Sequence, residues 1–125
     1  MNAIAEPIKF AQPELKEGET YAGAIITPDG TSHHIIVLPG DQDDTDWQTQ
    51  MDWAKSIGGD LPDRSEAALM FKHSKSAFKK TWYWTNEQHA SDSKYAWCQS
   101  FGNGLQDDYY TDYRLRARAV RRVAI

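Results

Sequence analysis

Few residues in this 125-residue chain combine the types and spacing that chemistry requires. Its one cysteine, Cys98, excludes an internal disulfide and a cysteine-rich zinc site. On the alternating run "YAWCQSF" it shares a face with Ala96 and Ser100, opposite Tyr95, Trp97, Gln99 and Phe101, which suits a small buried thiol. His33 and His34 adjoin in a β-like run and point to opposite faces, so they cannot jointly ligate one metal. His73 and His89 stand isolated in sequence. Asp41, Asp43, Asp44 and Asp46 crowd together as hard oxygen donors, yet lack the glycine and terminal glutamate of an EF-hand loop. They read instead as the acidic start of a helix, where carboxylates meet the positive end of the dipole. No nucleophile motif, phosphate-cradling loop or His-Glu-x-x-His segment appears. The expectation is a non-enzymatic, metal-independent protein without a cofactor.

Binding is better represented than catalysis. The stretch "GNGLQDDYYTDYRLRARAVRR" puts polar aromatics and acids in its first half and five arginines in its second. In "LQDDYYTDY", strand alternation sends Gln106, Asp108, Tyr110 and Asp112 one way and Leu105, Asp107, Tyr109, Thr111 and Tyr113 the other, so neither face is conventionally apolar. Tyrosine among short polar residues is the composition of adaptable recognition surfaces, because it offers a large contact area at low entropic cost. Tyr110 is the expected contact, and Tyr109 or Tyr113 the packing residue. Arg114, Arg116 and Arg118 alternate with Leu115, Ala117 and Ala119 as on a strand with one wet face; pairing with nearby acids is their default role, and a sulphated or phosphorylated ligand the alternative. Trp82, Trp84 and Trp97 read as core or near-core anchors, any one of which could instead form a stacking platform.

These residues need elements to position them. Residues 1–18, with Pro7 and Pro13, show no sustained period and read as an arm ahead of a single domain, 19–125. "YAGAIIT" and "TSHHIIVLP" flank "PDG" as a β-hairpin. "DQDDTDWQTQMDWAKSIGGD" switches to a helical period, with Trp47, Met51 and Ala54 on one face and Gly58 and Gly59 as stop signals. A second helix follows in "LPDRSEAALMFKHSKSAF", where Asp63 and Glu66 have capping-box spacing and Ala67, Met70, Phe71, Ser74 and Phe78 mark the inner face. Four β-like runs then return, "TWYWTNE", "KYAWCQSF", "LQDDYYTDY" and "RARAVRRVA". The middle pair is joined at Gly102, Asn103 and Gly104 as a hairpin with a primed Asn-Gly turn. Hairpin, two helices, then antiparallel strands is the block order of an α+β fold.

Composition narrows the partners. A formal charge of −4 argues against general nucleic-acid binding, which needs surplus Lys and Arg on one face. No stretch approaches the roughly twenty apolar residues that cross a bilayer. The first residues lack the basic start and apolar run of a signal peptide, so synthesis and initial residence in the cytoplasm are expected.

The succession "GGDLPDRSEAALMF", "WYWTNEQ" and "YAWCQSFGNGLQDDYYTDYRLRARAVRRV" resembles the bacterial and phage domain-of-unknown-function family typified by the Lcl C-terminal domain. Its elements here are Leu61, Pro62, Asp63, Arg64 and Glu66; Trp84, Thr85, Asn86 and Glu87; Ala96 and Trp97; Asn103 and Gly104; and Arg116, Arg118, Val120 and Arg121. The resemblance covers about the last two-thirds of the chain. It implies a C-type-lectin-like fold in which the hairpin and the last strand share one sheet while the middle strands carry a variable surface. The calcium-dependent sugar motifs of many such lectins are absent: "QPE" at Gln12 falls in the arm, and no tryptophan precedes Asn-Asp. A formylglycine-generating activity would need paired cysteines.

Together these readings point to a phage or prophage recognition domain that binds a host-surface or virion macromolecule, protein or glycan. The alternative is a small intracellular effector that inhibits a host defence protein. The candidate ligand-binding residues are Trp84, Asn86, Gln99, Asn103, Gln106, Asp108, Tyr109, Tyr110, Asp112, Tyr113 and Arg114. The expected location is cytoplasmic on synthesis, then virion-associated if the recognition role holds, and homo-oligomerisation is compatible with the chain.

Overall fold

The computed structural model describes residues 11–125. Over these residues the fold is α+β, with two α-helices and eight strands in two curled sheets. Strands β1 (Thr20–Ile25) and β2 (His33–Val37) form the expected antiparallel hairpin. Its turn is closed by Asp29, whose carboxylate accepts from the Thr31 N–H and from both threonine hydroxyls of Thr27 and Thr31. β2 then pairs antiparallel with the last strand, β8 (Val120–Ala124), giving a three-stranded sheet in the order β1-β2-β8. The second sheet runs β3 (Gln42–Thr45), β7 (Leu115–Ala117), β4 (Trp82–His89), β5 (Asp92–Ser100) and β6 (Gln106–Tyr110). Only the β4–β7 pair is parallel.

Helix α1 (Trp47–Ser56) starts where Asp46 accepts from the Thr49 N–H at 2.9 Å. It stops at Gly58, whose φ of +84° is the left-handed conformation that a C-terminal glycine supplies. The acidic-cluster reading therefore holds for Asp46 alone. Asp43 and Asp44 lie on β3, a strand without an apolar residue, and Asp41 immediately precedes it. What holds this segment is Arg116 on β7, which donates to Asp41 at 2.9 Å and Asp43 at 3.2 Å.

Helix α2 (Arg64–Ser74) begins in a full capping box. The Asp63 carboxylate accepts from the Glu66 N–H at 2.7 Å, and the Glu66 carboxylate accepts from the Asp63 N–H at 2.8 Å. Asp63→Ala should cost about 1 kcal/mol of stability, read as a shift in the denaturant midpoint.

Two clusters make the core. One joins Trp47 and Ala54 of α1 to Leu38, Leu61, Trp84, Ala96, Cys98, Ala117 and Ala119. The other joins Met70 of α2 to Ala22, Ile35, Val37, Phe78, Tyr83, Phe101 and Val120. Phe78 and Phe101 stack at 3.9 Å, and Tyr83 meets both edge-on.

Two local expectations change. The run "RARAVRRVA" is not one strand but two, β7 and β8, in different sheets. The break falls at Arg118, which bends the chain across to donate to the carbonyls of Ala77 (2.6 Å) and Leu38 (2.8 Å). The β5–β6 connection is not a primed turn either, because Asn103 has no positive φ. Gly104 alone does, at +84°, and a β-carbon there would meet the Phe71 ring at 2.7 Å. Ser100 instead organises the turn, its hydroxyl accepting from the N–H groups of Gly102 and Asn103.

Residues 1–10 of the expected arm lie outside the described residues. Residues 11–18 contain neither helix nor strand, and Arg121 on β8 ties them down through the Glu14 carbonyl at 3.1 Å and the Glu19 carboxylate at 2.8 Å. Among the described residues no helix is long and apolar enough to cross a membrane.

Candidate functional site

The β4–β5–β6 portion of the second sheet has two faces. Register brings Trp84, Cys98 and Asp107 into one row and Ala96 and Tyr109 into the next, and this side packs toward α1. The opposite side carries Tyr95, Trp97, Gln99, Gln106, Asp108 and Tyr110. Helix α2 covers only part of it. At the start of α2, the Arg64 guanidinium lies 3.5 Å from the Trp97 ring centroid, and its Nε donates to Gln106 Oε1 at 3.0 Å. His89 stacks on the same indole at 5.7 Å and lies 3.6 Å from Asp108.

Beyond Trp97 the face is open. Tyr95 and Tyr110, direct cross-strand partners, stack at 4.4 Å. The Tyr110 hydroxyl hydrogen bond pushes the Tyr95 phenol up to about 12, and burial and the nearby carboxylates of Asp92 and Asp108 act the same way. A turn after Tyr110, closed by the Tyr113 N–H to the Tyr110 carbonyl at 2.9 Å, ends the strand and folds Tyr113 back. Tyr113 then stacks on Tyr109 at 5.4 Å and lies 5.9 Å from Tyr110. Strand alternation therefore applies to 106–110 and fails at 111–113. Tyr110 and Tyr113 are 45% and 48% exposed, whereas Tyr109 is half-buried edge-on against Trp82. Tyr109 is the packing member of the three.

The other candidates divide. Trp84 is fully buried with its indole N–H donating to the Thr45 carbonyl at 3.1 Å, so it is a core anchor and not a surface residue. Gln99 is likewise buried, spending its amide on the carbonyls of Ser100 and Leu105 while accepting from Gln106. Gln106 in turn donates to the Arg64 carbonyl at 2.7 Å and orients the Arg64 side chain. Asn86 is half-buried and donates to Asp60. Asn103 is exposed, but at the β5–β6 turn, the opposite end of the strands from Tyr110. Asp112 and Arg114 are exposed beside Tyr113, and Arg114 donates to the Asp44 carbonyl at 3.3 Å. Asp108, Tyr110 and Tyr113 thus remain close to one another, while Asp112 lines a groove with the start of α1 and Arg114 reaches toward β3. Sequence reasoning missed Tyr95 and His89, whose signal was their cross-strand register, and Arg64, whose stacking on Trp97 no local pattern reveals.

The remaining chemistry is structural. Arg121 and Arg122 pair with Glu19 and with Glu66 and Asp60. His33 and His34 do point apart, one to Glu66 and the other to the Tyr21 hydroxyl. Burial pushes the Cys98 thiol up to about 12, and its Sγ donates to the Asp107 carbonyl at 3.1 Å, both of which disfavour the thiolate. A groove of about 480 Å³ between the segment ahead of β1 and the end of α1 holds Glu19 and Arg121, which neutralise each other at 2.8 Å. Among the described residues no three His, Cys, Asp or Glu side chains are placed to hold a metal ion. In comparisons with known proteins, no family model matches this sequence and no curated relative does.

Proposed function

We propose that this protein is a non-enzymatic recognition domain, phage- or prophage-derived, that binds a host-surface or virion macromolecule through the Tyr95–Tyr110–Tyr113 face. The observation that carries this reading is a series of tyrosine rings at the end of β6, Tyr110 stacked on Tyr95 at 4.4 Å and 5.9 Å from Tyr113, with Tyr110 and Tyr113 about half exposed and Asp108 on the same side of the strand as Tyr110. Aromatic rings fixed by stacking form a contact surface with little entropy left to lose on binding. The pairing of hairpin strand β2 with terminal strand β8, and the separate sheet carrying the tyrosines, support the C-type-lectin-like assignment and the resemblance to the Lcl C-terminal family.

Stability and binding should separate at this face. Tyr110→Ala and Tyr113→Ala each remove a ring that is about half exposed, so both proteins should melt near wild type. At least one should lose about 2 kcal/mol or more of affinity for a ligand found on a glycan array or by pull-down from host lysate. If each substitution weakens binding only in proportion to lost stability, the tyrosines are sheet packing and the recognition role fails.

A further inference from the structure

Resting on that recognition role, we propose that the partner is a protein segment bearing exposed arginines, with a guanidinium seated on the Tyr95–Tyr110 stack and held by Asp108. The face already accommodates one such group: Arg64 lies flat over Trp97 at 3.5 Å, with its Nε fixed by Gln106. Tyr95 is two residues before Trp97 on β5 and so presents its ring on the same side of the sheet, one pleat repeat further along. There the aromatic surface continues through Tyr110, and among the described residues no arginine is stacked on it.

The charged side chains that act on the Tyr95 ring are acidic. Asp92 and Asp108 both act on the Tyr95 phenol, and Asp112 follows in the adjoining turn. The Asp108 side chain remains 29% exposed, with His89 its nearest basic neighbour at 3.6 Å. Lys94 and Arg114 stand at the margins, and Arg114 is directed toward the Asp44 carbonyl. A planar cation satisfies both parts of this surface, since its face stacks on an aromatic ring while its edge donates to a carboxylate. A lysine matches only the charge. Strand addition at the free edge of β6 is disfavoured, because the Asp108 N–H already donates to the Asp107 carboxylate at 2.8 Å.

The test titrates the protein with capped Gly/Arg, Gly/Lys and Gly/Glu peptides of equal length, followed by fluorescence anisotropy at physiological salt to screen diffuse attraction. The Arg peptide should bind, the Lys peptide at least about fivefold more weakly, and the Glu peptide not at all. Asp108→Asn and Tyr110→Ala should each weaken the Arg peptide about fivefold or more, with thermal melts kept near wild type. Glu17→Gln, which removes an exposed acid ahead of β1, should leave it unchanged and so controls for net charge. Equal loss in all three variants, or no saturating binding of the Arg peptide, overturns the proposal. If Tyr110→Ala abolishes binding of a neutral or acidic ligand with which the Arg peptide does not compete, the recognition role stands and the arginine chemistry falls. If no variant of this face alters binding of any ligand, both fall.

Discussion

Replacing Glu66 by Ala should destabilise the protein by about 3–5 kcal/mol, measured by denaturant unfolding. Glu66 is completely buried, and four donors converge on its two oxygens. Arg122 donates through Nε and Nη2 at 2.7 Å each, the Asp63 N–H donates at 2.8 Å, and His33 Nε2 lies at 2.8 Å. Removing the carboxylate leaves the Arg122 guanidinium, also committed to the Leu61 carbonyl, without its principal counter-charge. It also deletes half of the α2 capping box. The network joins β2, α2 and β8, so the loss is felt in both the three-stranded sheet and the helix on it. Arg122→Met combined with Glu66→Gln should recover part of the loss, because it removes a guanidinium that would otherwise keep only Asp60 as its charged partner.

The same network sets a pH window. Burial opposes ionisation of Glu66, but the Arg122 hydrogen bond and the Asp63 N–H outweigh it and hold the carboxyl below its ordinary 4.5. A depressed carboxylate contributes fully above its unfolded value and loses that contribution as pH falls through the folded one. For His33, burial disfavours the cation, yet the Thr31 carbonyl and Glu66 together raise its pKa above 6.5. That stabilisation is complete below 6.5 and disappears as pH rises through the raised value. The contribution of this pair should therefore be greatest between 4.5 and 6.5 and decline on both sides. His33→Gln should flatten the alkaline decline and leave the acid one. A midpoint that stays constant as pH rises from the 4.5–6.5 window into the alkaline range would show that the His33–Glu66 ion pair contributes nothing.

The second large effect is at Trp84. Trp84→Ala should cost about 3–5 kcal/mol, followed by circular dichroism because the substitution removes a fluorophore. The indole is fully buried at the junction of α1 with the second sheet, among Leu38, Leu61, Ala96, Cys98 and Ala117. Its neighbours are held by the sheet and by α1, so the site closes only in part when the indole is removed. The lost N–H also orphans the Thr45 carbonyl at the end of β3, the strand with least packing of its own. Cavity and orphaned acceptor act together, so Trp84→Phe, which leaves less void, should cost clearly less. Parity between the two substitutions would place the main cost in the hydrogen bond.

Local patterns determined much of this architecture. The hairpin of β1 and β2, the two helices, the Asp63–Glu66 box and the buried character of Cys98 are all legible because each depends on residues close in sequence, through alternation, capping geometry or a helical period. The α+β class follows from their order. What only the tertiary structure decided depends on contacts far apart in the chain. β3 exists because Arg116, some seventy residues away, neutralises Asp41 and Asp43, and an acidic tetrapeptide carries no strand signal of its own. The division of the last run into β7 and β8 is made by Arg118 reaching Leu38 and Ala77. Trp84 reads from sequence as a core anchor that could instead be a stacking platform, and Gln99 as a ligand contact; the packing of α1 and the turn at Ser100 decide for burial of both. The proposed recognition face was half legible. Tyr110 and its acidic neighbours announce themselves by composition, but Tyr95, His89 and Arg64 join them through cross-strand register and one stacking contact, which a linear sequence does not encode locally. Short-range stereochemistry is written in neighbouring residues, whereas long-range charge pairing and burial arise only when the folded chain brings distant groups together.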